Sequence, residues 1–357
     1  MGKERVTIRD IAEAAGVSVA TVSRVLNRHA YVSPEVADAV RRVIDETGYH
    51  PSRLAQSFAR GLSRTVTLIY DSVSSSESES GMWSMFALVL AMGLNDVLSG
   101  TDYHLRIMNT PGFLHSADKN QLEEWLINDS GLTKGDPVVI TNPRISDTFL
   151  EFMTQNSFPC VLVGKYNSAT QIPQIDVDNV EGMRMITSYL IDLGHTDIAF
   201  LAPDLLHTVV EERHLGFMEA VRQSVPQRIS ARHFITDNDA FAFSYESARN
   251  TVSRMIEQGT LPTAIVCFND EMAFGAMQAL VAKEIRVPED VSVTGFDDLP
   301  PARMYCPPLT TIRQDVRKLG QNAGRILLRQ VKGQTVSALT LFSVSLVERS
   351  STGPPRR

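Results

Sequence analysis

The chain has 357 residues, of which 43% are hydrophobic, and a formal net charge of −7 at pH 7. At roughly 150 residues per domain, this length predicts two or three compact domains of ordinary globular composition. Three scattered cysteines without CxxC spacing, no apolar run near the ~20 residues of a membrane span and no secretory segment at the start predict a cytoplasmic protein without a metal cluster.

The charge is unevenly distributed along the chain. Residues 1–64 carry ten Lys and Arg against seven Asp and Glu, whereas the remaining residues carry 24 against 34. A locally positive segment suits contact with phosphates. The first 64 residues are therefore the part that we expect to contact nucleic acid.

Residues 7–27, reading TIRDIAEAAGVSVATVSRVLN, predict two short helices joined by a tight turn. Thr7 lies three residues before Asp10, which is capping-box spacing with Asp in place of Glu or Gln. Gly16 stands where a glycine ends a helix, and Ser18 can cap the next one. This is helix-turn-helix spacing, although periodicity alone would also fit a two-helix hairpin of an all-α protein.

The second of these helices has one apolar arc and one mixed arc. The apolar arc, which we expect to pack, contains Val22, Val25 and Leu26. The opposite arc contains Val19, Ala20, Ser23, Arg24 and Asn27. An arginine can bond guanine bidentately and a small apolar group can contact the thymine methyl, so the second arc suits direct readout in the major groove.

Two further segments precede the core. Ser33 and Pro34 predict the start of a third, packing helix, and Gly48 predicts its end. Residues 51–61, reading PSRLAQSFARG, are too few and too weakly apolar for a helix that is stable alone. They fit either a plain linker or a segment that orders on a partner.

The string from Ile8 to Asn27 closely resembles the start of the lactose repressor and galactose repressor family, with the pattern T-I-x-D-V-A-x-x-A-G-V-S-x-x-T-V-S-R-V-L-N. The resemblance implies that Val19, Ala20 and Arg24 meet base edges, and we expect Thr21 and Ser23 to hold phosphate. It also implies a hinge helix over residues 51–64 that wedges Phe58, where most members have leucine, into the minor groove. The other predicted DNA-binding positions are Thr7, Ser18, Asn27 and Arg53.

From Thr65 onward, two sets of β-rich runs alternate with helical patterns. The first set covers 66–70, 103–108, 137–141 and 159–164, and the second covers 197–203, 232–236, 264–268 and 291–297. This rhythm predicts an α/β core of two lobes, each with a parallel sheet and helices on both faces, like a periplasmic binding protein. Because ligands bind beyond the carboxyl ends of such strands, we expect the site between the lobes.

The predicted domains follow from these observations. The helix-turn-helix domain covers 1–50, the hinge 51–64, the core 65–350 and a tail 351–357. Within the core, lobe 1 takes about 65–176 and 316–343, and lobe 2 about 177–312 and 344–350. No leucine heptads follow the last strand, LTLFSVSLVERS, which argues against a tetramer built by a coiled coil.

Polar residues gather at the predicted strand ends. They are Asp71, Ser72, Lys165, Asn269 and Asp297, together with Arg213 on a helix and Gln314 near the end of LTTIRQD. Each one alone fits a turn or a helix cap, but their convergence is typical of a site for a small polar ligand.

The core resembles the same family at R-x-x-G-F from Arg213 and over 262–277 and 295–315. The resemblance implies that Arg213, Asn269 and Asp297 bond sugar hydroxyls and that Phe243 lies against the ligand ring. The same groups would suit a purine. A Ser/Glu tract at 72–81 departs from the family, and fits either a solvated loop or a flap over the site.

These patterns predict a DNA-binding transcriptional regulator, a homodimeric repressor on a palindromic operator, controlled by a small effector. A sugar is the expected effector, with a purine or nucleoside corepressor as the alternative. A sugar-handling enzyme is a remote alternative, because the sequence has no GxSxG, HExxH or Walker A motif. No catalytic residue and no cofactor are predicted.

Overall fold

The computed structural model describes residues 8–26, 32–47, 64–70, 85–109, 117–133, 135–141, 147–166, 170–203, 208–224, 228–236 and 245–356. The chain divides into two compact units, Met1–Ser63 and Arg64–Arg357. None of the helices described combines the length and apolar composition that a membrane crossing needs.

The first unit contains three helices, α1 (Ile8–Ala14), α2 (Val19–Leu26) and α3 (Pro34–Thr47). Gly16 has a φ of 66°, and the backbone N–H of Val17 bonds the carbonyl of Ala12 at 2.9 Å, which closes α1. The Ser18 hydroxyl accepts from the Thr21 N–H at 3.1 Å and so caps α2. The predicted helix end, cap and Pro34 start are confirmed. The buried core of the unit consists of Ile11, Ala12, Val22, Val25 and Val40.

The second unit is built on two six-stranded sheets, and each defines a lobe. Lobe 1 orders its strands β11-β5-β4-β3-β1-β2, all paired in parallel. Its strands are β1 (Thr65–Tyr70), β2 (His104–Asn109), β3 (Val138–Thr141), β4 (Cys160–Val163), β5 (Gln174–Val177) and β11 (Leu339–Phe342). Its helices are α4 (Met85–Leu98), α5 (Lys119–Asn128), α6 (Asp147–Gln155) and α11 (Val316–Val331).

Alternation along the strands of lobe 1 covers both faces of the sheet. Leu68 belongs to the core cluster that contains Leu90 of α4 and Leu327 of α11. Its neighbour Ile69 belongs to a second cluster with Trp125 of α5. Because successive side chains of a strand point to opposite faces, helices on both sides are needed to bury this apolar sequence.

Lobe 2 orders its strands β12-β10-β9-β8-β6-β7, with β12 antiparallel to β10 and the other pairs parallel. The strands are β6 (Asp197–Ala202), β7 (Ser230–Ile235), β8 (Ala264–Cys267), β9 (Ser292–Asp297), β10 (Thr310–Arg313) and β12 (Ser345–Val347). The helices are α7 (Asn179–Asp192), α8 (Thr208–Gln223), α9 (Tyr245–Glu257) and α10 (Asp270–Val281), with a 3-10 turn at Pro300–Arg303.

The chain passes between the lobes after β5, after β10 and again between β11 and β12. The segment interpreted as one last strand is thus two strands in different sheets. Residues after β12 pack on lobe 2: Ser351 is fully buried, and its hydroxyl accepts from the Thr310 N–H at 2.8 Å and donates to the Val293 carbonyl at 2.6 Å. Residues 351–356 are therefore part of the folded lobe.

Helices α4 and α11 of lobe 1 approach each other at glycines. A Cβ atom added to Gly93 of α4 would lie 2.0 Å from the carbonyl oxygen of Arg317, and one added to Gly320 of α11 would lie 2.1 Å from that of Leu90. Real Cβ atoms do not come this close, so only glycine allows the two backbones to touch. The pair is locked in a single packing distance.

Candidate DNA-contacting face and effector site

Helix α2 presents a solvent-exposed face opposite its packed one. Val22 and Val25 are buried, whereas Val19, Ala20 and Arg24 are exposed. Val19 keeps 41% of its surface accessible. Ser18 and Thr21 bond each other through their hydroxyls at 2.9 Å. The side chain of Ser23, and Thr7, Asn27, Arg53 and Phe58, lie outside the described residues.

A continuous chain of polar side chains joins the two lobes at the carboxyl ends of their strands. We call it the interlobe network, and it consists of Lys165, Asp176, Asn179, Glu212, Arg213, Asp297 and Gln314. Four of the predicted effector positions, Lys165, Arg213, Asp297 and Gln314, are therefore brought together. Asp71, Ser72 and Phe243 lie outside the described residues.

The lobe 1 end of the network is an ion pair across the lobes. Lys165, just after β4, places its Nζ 2.5 Å from Oε1 of Glu212 on α8. The Lys165 backbone N–H donates to Asp176 at 2.7 Å, which fixes the turn after β4 on the end of β5. Glu212 raises the pKa of Lys165, and burial raises the pKa of Asp176.

Asn179 connects this ion pair to Arg213. It is the first residue of α7, just after the chain enters lobe 2, and its Nδ2 donates to Asp176 at 3.2 Å and to Glu212 at 3.3 Å. Its Oδ1 accepts from Nε of Arg213 at 3.0 Å. An amide suits this position because it donates to the carboxylates and accepts from the guanidinium at the same time.

Arg213 is the central cation of the network and is 4% exposed. Its guanidinium lies over the rings of Phe268 and Phe296, 4.4 and 3.7 Å from their centroids. Nη1 donates to the Phe268 carbonyl at 2.6 Å, and Nη2 lies 3.8 Å from Oδ1 of Asp297. Burial lowers the pKa of Arg213, while nearby carboxylates, first that of Asp297, oppose this shift.

Asp297 closes the network at the end of β9, where Gln314 donates to its carboxylate. Asp297 has a φ of 123° and Asp298 a φ of 54°, and both values fall in the region that favours glycine. The fold therefore holds a strained backbone at the residue whose carboxylate closes the network. Burial raises the pKa of Asp297 to about 6, although Arg213 and Gln314 both lower it.

Two residues beside the interlobe network, Asn269 and Asp270, stabilise the local structure of lobe 2. Asn269 caps α10 by accepting from the Met272 N–H at 2.8 Å, so the predicted effector contact of Asn269 starts from a side chain already held as a cap. Asp270 is fully buried and accepts from the Thr311 hydroxyl at 2.6 Å and the Leu299 N–H at 2.7 Å. It ties α10 to β10.

Sequence reasoning missed Asp176, Asn179 and Glu212. Asp176 belongs to β5, a strand of four residues (QIDV) of which two are polar. A search for apolar runs does not detect such a strand. Asn179 lies two residues after the end of β5, and the signal that was present is the string DVDN at residues 176–179, where the chain crosses between the lobes. Within the described ranges, no group of three or more His, Cys, Asp or Glu is arranged to hold a metal ion.

A helix-turn-helix unit with an exposed recognition-type face, and a two-lobed core with a polar network between its lobes, together define a ligand-responsive DNA-binding regulator. The family described as bacterial regulatory proteins, lacI family, matches residues 7–52, and the periplasmic binding protein-like domain matches residues 187–352. The transcriptional repressor PurR of Pasteurella multocida is 33% identical over 328 residues, 91% of this chain and 92% of the relative.

Solved structures agree. The lac repressor dimer bound to operator and the anti-inducer ONPF is 29% identical with a TM-score of 0.73, over 98% of this chain and 100% of that one. The CelR–cellobiose complex is 26% identical with a TM-score of 0.66, over 97% and 100%. The chain belongs to the lacI family of bacterial regulatory proteins: it is a DNA-binding transcriptional repressor with an effector-binding core.

Proposed function

We propose that the interlobe network binds a neutral, hydroxyl-rich effector, a sugar, and that this binding controls operator affinity. The observation that carries the proposal is the balance of charge. Around Arg213 stand the carboxylates of Asp297, Asp176, Asp270 and Glu212. Carboxylates accept from ligand hydroxyls and repel phosphates, so an uncharged donor-rich ligand fits and a phosphorylated one does not.

The aromatic rings described beside the interlobe network are poorly placed to stack against a flat nucleobase. Phe296 is fully buried and Phe268 is 5% exposed, and the Arg213 guanidinium already lies over both rings. Neither offers an open face for stacking, whereas hydroxyls need only the polar rim that Lys165 and Glu212 present.

The effector class is tested by thermal unfolding of the full chain against neutral sugars, their phosphate esters, nucleobases and nucleosides. A ligand at about 100 times its Kd adds ~2.7 kcal/mol to stability. We expect a neutral sugar to stabilise the protein and Asp297→Asn to abolish the effect. Asp197→Asn, which breaks a partly exposed ion pair with Arg232 on the same lobe, is the matched control and keeps the response. Stabilisation by a nucleobase or a phosphate ester alone contradicts the proposal.

For DNA binding, we propose a homodimer in the cytoplasm on a palindromic operator, with one α2 helix reading each half-site. Val19, Ala20 and Arg24 would meet bases, while Ser18, Thr21 and Ser23 would contact phosphates. The predicted hinge, with Phe58 as the minor-groove wedge, would order at the centre. Effector would release the repressor, with coupling of about 1–3 kcal/mol, or roughly 5- to 150-fold.

Selection from random duplexes tests this reading. The protein should enrich a palindrome, and Arg24→Ala should weaken binding about 5- to 100-fold and relax the preference at one position of each half-site. Arg41→Ala removes another exposed arginine, on α3, which pairs with Asp38, and is the control for charge alone. An unchanged preference in Arg24→Ala would remove that residue from base readout. Turnover of any sugar in the panel would contradict a purely regulatory role.

A further inference from the structure

Glu271 forms a hydrogen bond between the lobes and is not a member of the interlobe network. It lies in the first turn of α10 in lobe 2, and its Oε1 accepts from the backbone N–H of Met85, the first residue of α4 in lobe 1, at 2.8 Å. The first N–H groups of a helix have no partner within the helix and carry partial positive charge, so a carboxylate is a favourable acceptor for them. A side chain of lobe 2 therefore caps a helix of lobe 1.

The two helices that this bond joins are each fixed within their own lobe. In lobe 1, the backbone of α4 touches that of α11 at Gly93. In lobe 2, a Cβ added to Gly275 of α10 would lie 2.0 Å from the carbonyl oxygen of Tyr245, the first residue of α9, so these two backbones also touch. Because neither helix can follow the opposite lobe, separation of the lobes breaks the bond instead of being absorbed by a helix shift.

The covalent connections between the lobes are too short to hold the lobes at one angle. Each of the three crossings places one or two residues between two elements: Asp178, residues 314–315 and residues 343–344. Such short segments at the ends of elements are typical hinge positions. The angle between the lobes is therefore set by noncovalent bonds across them. The Lys165–Glu212 ion pair is one such bond, but it belongs to the proposed effector site.

We propose that Glu271 is a positioning residue that holds the two lobes in the arrangement of this structure, the latched form, by accepting from the Met85 N–H. A hydrogen bond to a charged group contributes enough free energy to shift an equilibrium about tenfold or more. Loss of the carboxylate should therefore raise the ratio of unlatched to latched molecules about tenfold without any effector. An effect on operator affinity rests on the proposed function, whereas the effect on the lobes does not.

The test measures the distance between the lobes in the full chain, with neither effector nor DNA. Spin labels are placed at the exposed positions Glu123 in lobe 1 and Ser230 in lobe 2, in a Cys306→Ser background, and labelled chains are diluted with unlabelled protein. Burial raises the pKa of Glu271 to about 7, so a buffer at pH 8.5 keeps its carboxylate ionised. Glu271→Ala should raise the ratio of long to short distances about tenfold, and Glu271→Gln, which keeps an acceptor oxygen, should raise it less.

A second set of variants removes the donor instead of the acceptor. Met85→Pro lacks the N–H, and proline is tolerated at the first position of a helix, so this variant should open the lobes as Glu271→Ala does. Met85→Ala is the matched control, because it keeps the N–H and should behave as the wild type. Glu257→Ala removes an exposed glutamate of lobe 2 and controls for the loss of charge.

The combined variant decides whether the two residues act through one bond. Glu271→Ala with Met85→Pro should open the lobes no further than either change alone, because each removes the same interaction. The proposal is overturned by unchanged distances in Glu271→Ala, by a Met85→Pro variant that behaves as Met85→Ala, or by additive opening in the combined variant. Because no effector is present, none of these results bears on the effector class.

Discussion

Replacing Arg213 by alanine should destabilise the core far more than removing a comparable surface arginine. Arg213 and Asp297 have side-chain exposures of 5% and 6%. Arg232 and Asp197 form the comparison pair on the same lobe, with exposures of 31% and 37% and an N–O distance of 2.7 Å. Breaking a buried pair leaves a charge without compensation, whereas a partly exposed pair is replaced by water.

The magnitudes follow from the contacts. Arg213→Ala removes two charge-assisted hydrogen bonds and the cation held over two rings, among four carboxylates. Losing one partner of such a buried set costs about 3 to 5 kcal/mol. Arg232→Ala also loses a bond to the Thr260 carbonyl, but its solvated pair costs only about 1 kcal/mol.

Urea unfolding of both variants, followed by circular dichroism at pH 7.5, measures the difference through the midpoint at constant slope. Arg213→Lys refines the comparison: it keeps the charge but loses the planar contact with the rings, and should fall between Arg213→Ala and wild type. Equal losses for Arg213→Ala and Arg232→Ala would refute the view that burial of opposed charges holds this site together.

Three further changes probe other parts of the core by the same urea assay. Gly93→Ala forces a Cβ into the carbonyl of the facing helix and should lower the free energy of unfolding by about 1 to 3 kcal/mol. Gly100→Ala, with open space around it, is the control and should leave the free energy of unfolding unchanged. Equal values for the two variants would disprove the close contact. Asp297 has its pKa raised from 3.8 to about 6, so its ionised form destabilises the fold above pH 6 and the penalty fades as pH falls toward 4. Asp297→Asn should therefore shrink the gap in unfolding free energy between pH 5 and pH 7.5 by about 1.4 kcal/mol, and an unchanged gap would assign that pH dependence to another group. Ser351→Ala should lower the free energy of unfolding by about 1 to 3 kcal/mol, because it leaves a buried N–H and a buried carbonyl without their hydroxyl partner. Ser337→Ala, at an exposed serine, is the control and should leave the free energy unchanged. An unchanged value for Ser351→Ala would mean that the Ser351 hydroxyl adds no stability.

Much of the fold can be predicted from the sequence, because local backbone preferences and tertiary packing favour the same helices and strands. Gly16, Ser18 and Pro34 mark helix ends by their own backbone chemistry, so the first unit is predicted almost element by element. The apolar strands of both lobes are predicted correctly, because strands that are buried on two faces appear in the sequence as nearly continuous hydrophobic runs. The strands β5 and β10 are not predicted, because each has four residues of which at least two are polar, and these polar side chains make contacts that form only in the assembled lobes.

The site is predictable only in part, for the same reason. Arg213 and Asp297 belong to strings that resemble a known family, and Lys165 follows a clear strand. The partners that orient them come from other parts of the chain: Glu212 meets Lys165 across the lobes, and Asn179 reaches Arg213 from the start of α7. A linear pattern carries no information on which of several acidic residues will face a given cation, because that choice is made by packing.

The threefold passage of the chain between the lobes sets the order in which the protein can be made. Lobe 1 lacks its edge strand β11 and the helix α11 until residue 342 has been synthesised, and lobe 2 lacks β12 and the buried Ser351 until a few residues later. Neither lobe is one contiguous stretch of chain, so both acquire their last described elements only between residues 339 and 351. A premature stop between residues 343 and 351 therefore removes β12 or Ser351 from lobe 2, and one between residues 316 and 342 also leaves lobe 1 without a complete β11.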